Sequence, residues 1–212
     1  MKPSPFAFFV IDTLLRRLRI LSEQQIEMLA SDFGLAEKAN REIAWLERNG
    51  LVHSFQFEVK TLQLPKPLAT WQPGTQPIPP FGKISWIAKS RFQKTDAVYS
   101  KLFFASEMAE RQFGGVGGNL RQPNQITHDL GTSATFISHR RVSTPLDGDW
   151  IGEDMIRRFF RHLKARKIPD AAIISKHGIE KAIEFAGRDY SRAYLEVFHR
   201  FWAKKNIPYE IW

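Results

Sequence analysis

Cysteine is absent from the 212 residues, which removes disulfides, thiolate zinc sites and thiol nucleophiles together. That absence is compatible with a reducing cytoplasm. Long apolar runs are also missing. The stretch from Phe6 to Ile11 is far too short to span a bilayer, so no membrane association is expected. Met1-Lys2-Pro3 opens a short apolar stretch that no small-residue cleavage site follows, so secretion is not expected either. The glycine run Gly114-Gly115-Val116-Gly117-Gly118-Asn119 lacks a following Lys-Ser/Thr pair, so it does not match a phosphate-cradling loop and reads as flexible surface. What remains is 43% hydrophobic residues at a mean hydropathy of −0.33, the composition of a soluble globular protein.

Basic residues outnumber acidic ones by 31 to 22, a formal charge of +9 that suggests a polyanionic partner. The excess is uneven. Residues 1–60 carry eight basic and eight acidic residues, whereas residues 83–142 carry nine against four and residues 143–212 thirteen against ten.

In the N-terminal third, Phe8, Ile11, Leu14, Leu15 and Leu18 recur at helical spacing and predict a helix over about residues 6–19. Ser22 with Gln25 has the form of a capping box, opening a second helix through Ile26, Leu29 and Ala30 that Gly34 breaks. Ala39, Ile43 and Leu46 mark a third helix, from Ala36 to Asn49, which Gly50 stops. The period then falls to two at Phe55, Phe57 and Val59, which is strand patterning. Three helices followed by a hairpin make a winged helix-turn-helix arrangement, and Glu47-Arg48-Asn49-Gly50-Leu51-Val52 resembles that family's usual exit. The resemblance implies a third helix that enters the DNA major groove, with Lys38, Asn40, Arg41 and Arg48 meeting bases and phosphates. The competing readings are solvated polar positions on an ordinary helix, or a protein-interaction module.

Pro65, Pro67, Pro73, Pro77, Pro79 and Pro80 crowd the next stretch, which predicts an extended connector over residues 65–82 with Leu62, Leu64 and Trp71 packing back. This divides the chain into an N-terminal domain of residues 1–64 and a C-terminal domain of residues 83–212. In the latter, Ser85 to Ala88 and Ala97 to Phe104 resist assignment. Asn124 or Thr127 caps a helix through about His139, and a strand follows near Arg141 to Ser143 or at Trp150. A helix over residues 153–164 turns Ile156, Phe159, Phe160 and Leu163 inward. Strands Ile168 to Ser175 and Ile179 to Ala186, a helix of residues 189–205 and a strand from Ile207 to Trp212 complete the order. The class is α/β, α+β overall, and the terminal Trp212 is expected to be buried or at a subunit contact, such as that of a homodimer.

Asp170 and Glu184 stand out because each sits in an apolar strand, where an unpaired carboxylate is costly. Acids on adjacent strands suit a hard divalent cation. Their spacing resembles the PD-(D/E)XK nuclease pattern, and the α-β-β-β-α-β order resembles its restriction-endonuclease-like core. That resemblance implies Mg²⁺ or Mn²⁺ held by Asp170, Glu184 and Asp129. The lysine that the pattern expects to orient water is Ala186, so Lys176 or Arg188 would have to substitute. The alternative is that Asp170 caps a turn after Pro169 while Glu184 pairs with Arg188 or His128 as a buried support. Four strings occur in order: His128-Asp129-Leu130, Trp150 to Arg157, Ile168-Pro169-Asp170-Ala171, and Glu184 to Arg188 with Tyr190-Ser191. With the N-terminal helices they resemble the replication-relaxation family of plasmid and mobile-element proteins. The family implies double-stranded DNA as partner and a part in replication, mobilisation or their regulation, with metal-dependent nicking as the enzymatic alternative.

Overall fold

The structure, a computed structural model, describes residues 3–74, 77–118, 123–142, 148–161 and 168–212; the side chains of residues 123, 124 and 142 are not among those described. Among these residues it is a mixed α and β protein with eight α-helices and two sheets. No helix among them is long and apolar enough to cross a membrane. Two compact units share the chain: residues 1–61 with 97–137, and residues 62–96 with 138–212.

The first unit opens with helix α1 (Pro5–Arg16), strand β1 (Leu21–Ser22) and helix α2 (Glu23–Asp32). Ser22 caps α2 as its spacing foretells: its hydroxyl accepts from Gln25 N–H at 3.2 Å, and the Gln25 side chain accepts from Ser22 N–H at 3.0 Å. A 3-10 turn at Ala36–Lys38 leads into α3 (Ala39–Arg48), which stops where Gly50 takes a φ of 67°. Strand β2 (Val52–Val59) then pairs antiparallel with β4 (Val98–Ala105), Val52 opposite Ala105, and β4 pairs with β1 to give the order β1-β4-β2. The stretch Ala97 to Phe104, unassigned from sequence, is thus the central strand of the first sheet.

Helix α5 (Glu107–Phe113) and the glycine run follow. The run is a packed turn rather than the flexible surface its composition suggests. Val116 N–H donates to Leu15 O at 2.9 Å, Gly118 N–H donates to Ala105 O at 2.8 Å, and a Cβ at Gly115 would sit 2.6 Å from Leu15 O. Asn119 lies outside the described residues. Helix α6 (Pro123–Val142) then lays Ile126 and Leu130 on Leu102, Phe104, Ile20 and Val59. It begins earlier than expected, with proline in its first turn, so Thr127 is interior rather than a cap.

The second unit starts inside the proline-rich stretch. Strand β3 (Ala69–Trp71) and helix α4 (Phe81–Lys94) belong to it, so residues 65–82 open this unit instead of linking two consecutive domains. The contiguous division expected from composition differs for that reason: β2 finds its partner only after residues 62–96 have been built elsewhere. Strand β5 (Asp149–Gly152), helix α7 (Glu153–Phe159), strands β6 (Ala171–Ser175) and β7 (Gly178–Glu184), helix α8 (Arg192–Lys204) and strand β8 (Tyr209–Ile211) complete it. Of the two places offered for the strand after α6, the chain takes Trp150; Ser143 lies outside the described residues. Helix α7 is shorter than expected and leaves Phe159 exposed, and His162, Leu163 and Lys164 lie outside the described residues.

The second sheet runs β3-β8-β7-β6-β5. β5, β6 and β7 form an antiparallel meander, and α8 is the crossover that lets β8 lie parallel to β7. Alternation sends Ala182 and Tyr209 toward α4 and α8, where Trp71, Ile84, Ala88, Leu195, Phe198 and Trp202 close the core. Trp212 is buried at 1% exposure.

Candidate functional site

Register brings the two acids together. Ala171 pairs with Ile183, so the next pair outward is Asp170 beside Glu184. Phe185 N–H donates to Asp170 Oδ2 at 2.9 Å, and Asp170 N–H donates to Glu184 Oε2 at 3.3 Å. Glu184 is 1% exposed, and Tyr194 on the first turn of α8 donates its hydroxyl to Glu184 Oε1 at 2.6 Å. Both Glu184 oxygens therefore take protein donors, which is how a carboxylate is tolerated in a core.

The helix supplies its phenols by a local device. Ser191 caps α8, accepting from Tyr194 N–H at 3.2 Å, and so sets Tyr190 and Tyr194 over the strand ends with their rings 4.2 Å apart. Burial raises both phenol pKa values, and the two carboxylates raise them further. The tyrosines are thereby fixed as neutral donors. Both fall within the helix expected over residues 189–205, and their i,i+4 spacing on either side of the N-cap Ser191 is the signal for this role.

The position where the nuclease pattern expects lysine is fully buried. Ala186 is 0% exposed and packs in the α4–α8 core, its N–H donating to Trp212 O at 2.8 Å. Arg91, on the inner face of α4, donates to Ala186 O at 2.9 Å and to Trp212 O at 2.7 Å, with its guanidinium 4.9 Å from the Phe185 ring. Burial lowers the Arg91 pKa to about 10. This arginine escaped sequence reading because α4 did.

The two candidate substitutes, Lys176 and Arg188, are both exposed in turns. Lys176 is exposed in the β6–β7 turn, six positions from Asp170 and roughly 20 Å away along an extended strand. Arg188 is exposed in the turn after β7, whose strand geometry ends at Glu184, so the strand parity proposed for it does not hold. Asp129 belongs to the first unit, where Arg19 Nη1 lies 3.3 Å from its Oδ1. Among the described residues no three His, Cys, Asp or Glu side chains gather where they could hold a metal. Mg²⁺ takes one or two carboxylates and fills its shell with waters and substrate phosphates. Here Asp170 Oδ2 and both Glu184 oxygens already accept protein donors, which compete with a cation for the same lone pairs.

The opposite face of the sheet holds a second polar group. Lys181 Nζ lies 2.7 Å from Glu210 Oε1, and Trp212 Nε1–H donates to Glu210 Oε2 at 2.9 Å. His139 packs its ring 5.4 Å from that of Trp150, and burial lowers its pKa against the opposing pull of Glu210.

On α3 the expected DNA-facing residues are all on the surface. Lys38, Asn40, Arg41 and Arg48 are exposed, and the three-residue and seven-residue steps put Lys38, Arg41 and Arg48 along one stripe. Arg41 lies 3.6 Å from Glu42, and Arg48 Nε–H donates to Ala44 O at 3.2 Å. Behind the helix, burial pushes the Glu47 pKa up, but the Ser54 hydroxyl and Lys101 overcome it and hold it below the usual value. Charge divides sharply between the units. The first has 11 basic and 11 acidic residues, and the second 20 against 11, so the whole +9 resides in the second. No family model, curated protein or solved structure matches the chain.

Proposed function

We propose that the chain is a duplex-DNA-binding protein of a plasmid or mobile element, with a winged helix-turn-helix in its first unit and a nuclease-derived, non-catalytic scaffold in its second. The observation that carries this reading is the order β1-β4-β2 behind α1, α2 and α3. Three helices and three strands in that order support the winged-helix reading, in which α3 would be the recognition helix. The exposed stripe of Lys38, Arg41 and Arg48 supports contact with phosphates and base edges.

For the second unit, antiparallel β5-β6-β7, with α7 between β5 and β6, followed by α8 and a parallel β8, supports reading it as a restriction-endonuclease-like core. The buried Ala186 and the Tyr194-bound Glu184 favour a scaffold over hydrolysis. The motifs that resemble the replication-relaxation family support a role in replication, mobilisation or their regulation. One observation favours a Mg²⁺- or Mn²⁺-dependent nickase instead, the side-by-side Asp170 and Glu184. The two readings part in one experiment on supercoiled plasmid and labelled duplex. Duplex binding that weakens with salt, persists in Asp170→Ala and Glu184→Gln, and leaves the plasmid intact with Mn²⁺ is the expected result. Nicking that EDTA and either substitution abolish overturns the scaffold reading.

A further inference from the structure

Helix α4 turns Phe81, Ile84, Ala88 and Phe92 into the core at three- and four-residue steps, which completes its apolar face. Trp86 lies outside that stripe and is 68% exposed. Of the six tryptophans it alone is exposed: Trp71, Trp150, Trp202 and Trp212 are buried and Trp45 is half-buried. Among the described residues, this bare indole stands on a helix whose core face is already complete.

Its surroundings are cationic. Lys83 and Lys89 stand three residues before and after it, one helical turn to either side on the same face, and both are exposed. Helix α4 carries four basic residues and no acidic one, in the unit that holds the entire +9. Lys83 also lines an open cleft of about 610 Å³ at the start of α4, with Arg192, Glu196, His199 and Arg200 of α8. The Arg192 stem lies against Gly82, where a Cβ would be 3.9 Å from Arg192 Cδ. Arg192 is paired with Glu196 at 2.7 Å and Arg200 Nε–H donates to Glu196 O at 3.3 Å, so one acid faces three cations there.

We propose that Trp86, flanked by Lys83 and Lys89 and continued by the Arg192–Arg200 cleft, is a binding surface for an unpaired DNA strand. A base stacks on the indole while the cations follow the phosphates, the pairing of groups by which proteins hold single strands without reading sequence. Lys83, Lys89, Arg192 and Arg200 outnumber the one acid, Glu196, along this surface, and that positive excess suits a polyanion rather than an apolar protein partner. This surface is separate from α3 and stands or falls independently of it.

The experiment is fluorescence anisotropy of a labelled oligothymidylate with the full chain, read beside intrinsic tryptophan quenching. Trp86→Ala is expected to weaken binding by roughly 5- to 150-fold, the loss of one stacked base, and Trp86→Phe to retain most of the affinity. Lys83→Ala with Lys89→Ala is expected to flatten the salt slope by about 1.4. Quenching should fall sharply in Trp86→Ala, because four of the other five tryptophans are buried and Trp45 is half-buried. Arg41→Ala with Arg48→Ala should leave strand binding unchanged. The proposal is overturned if Trp86→Ala binds and quenches as the parent does, or if the α3 variant alone removes strand binding. It is overturned equally if oligouridylate or a duplex of equal length binds more tightly, or if Trp86 mediates self-association and no strand is bound.

Discussion

Removing one oxygen from Tyr194 tests whether Glu184 is a structural acid. In Tyr194→Phe the ring keeps its place beside Tyr190, 4.2 Å away, while the 2.6 Å bond to Glu184 Oε1 is lost. A hydrogen bond to a charged group is worth about 1.5–3 kcal/mol, and an acceptor left without water at 1% exposure keeps the cost near the upper end. Glu184→Gln also costs stability, because its amide must turn one N–H toward a donor, Asp170 N–H or the phenol. The double variant should lose about 1–2 kcal/mol less than the sum of the singles. Urea unfolding followed by tryptophan fluorescence reports mainly on the relevant unit, since five of the six tryptophans, Trp71, Trp86, Trp150, Trp202 and Trp212, lie in it and only Trp45 in the other. With a slope of about 2 kcal/mol per molar, the midpoint of Tyr194→Phe should fall by roughly 1 M. A loss under about 0.5 kcal/mol would refute the reasoning. So would a midpoint that Mg²⁺ raises in the parent chain and not in Glu184→Gln, since a ligand stabilises the state that binds it.

Ala186→Lys should not create a nuclease; overpacking a fully buried position costs about 1–3 kcal/mol before the charge is counted, so the midpoint drops and plasmid stays intact. Arg91→Met should cost about 1–3 kcal/mol by orphaning Ala186 O while keeping a stem against Phe185, read by the same unfolding assay. At high pH the phenols of Tyr190, Tyr194 and Tyr209 stay neutral in the folded chain while the unfolded chain ionises, so their contribution to stability is full below about pH 10 and is lost as pH rises above it. Tyr194→Phe should make that alkaline limb shallower. The lowered His139 pKa works at the other end: its contribution is present above about pH 6.5 and is lost as pH falls below it, and His139→Gln should flatten that limb.

The parts of this fold that were legible are those written locally. Ser22 and Gln25 announce α2, Gly50 ends α3, and two apolar runs around a short turn announce the β6–β7 hairpin, whereas the register shift at Ile173/Ile174 that sets Asp170 opposite Glu184 is not written in that local pattern. What sequence hid is written at long range. Val98–Ala105 becomes a central strand only because β2 waits for it across residues 62–96, and no local pattern carries that register. Helix α4 was obscured by its buried Arg91 and exposed Trp86, which blur the apolar period. In the site, strand parity suggested Arg188 because the end of β7 at Glu184 is set by the pairing of β7 with its neighbours. Tyr194 went unnoticed because a phenol's partner depends on where a helix crosses a sheet.

Duplex binding by α3 is tested most directly by measuring affinity against salt for the parent chain and for Arg41→Ala with Arg48→Ala. Both side chains are exposed on α3, so folding should be untouched. If they meet phosphates or bases, the variant binds duplex DNA more weakly at every salt concentration. Two lost phosphate contacts would also make its slope shallower by about 1.8. Identical affinity and identical slope in the two proteins would contradict the winged-helix account.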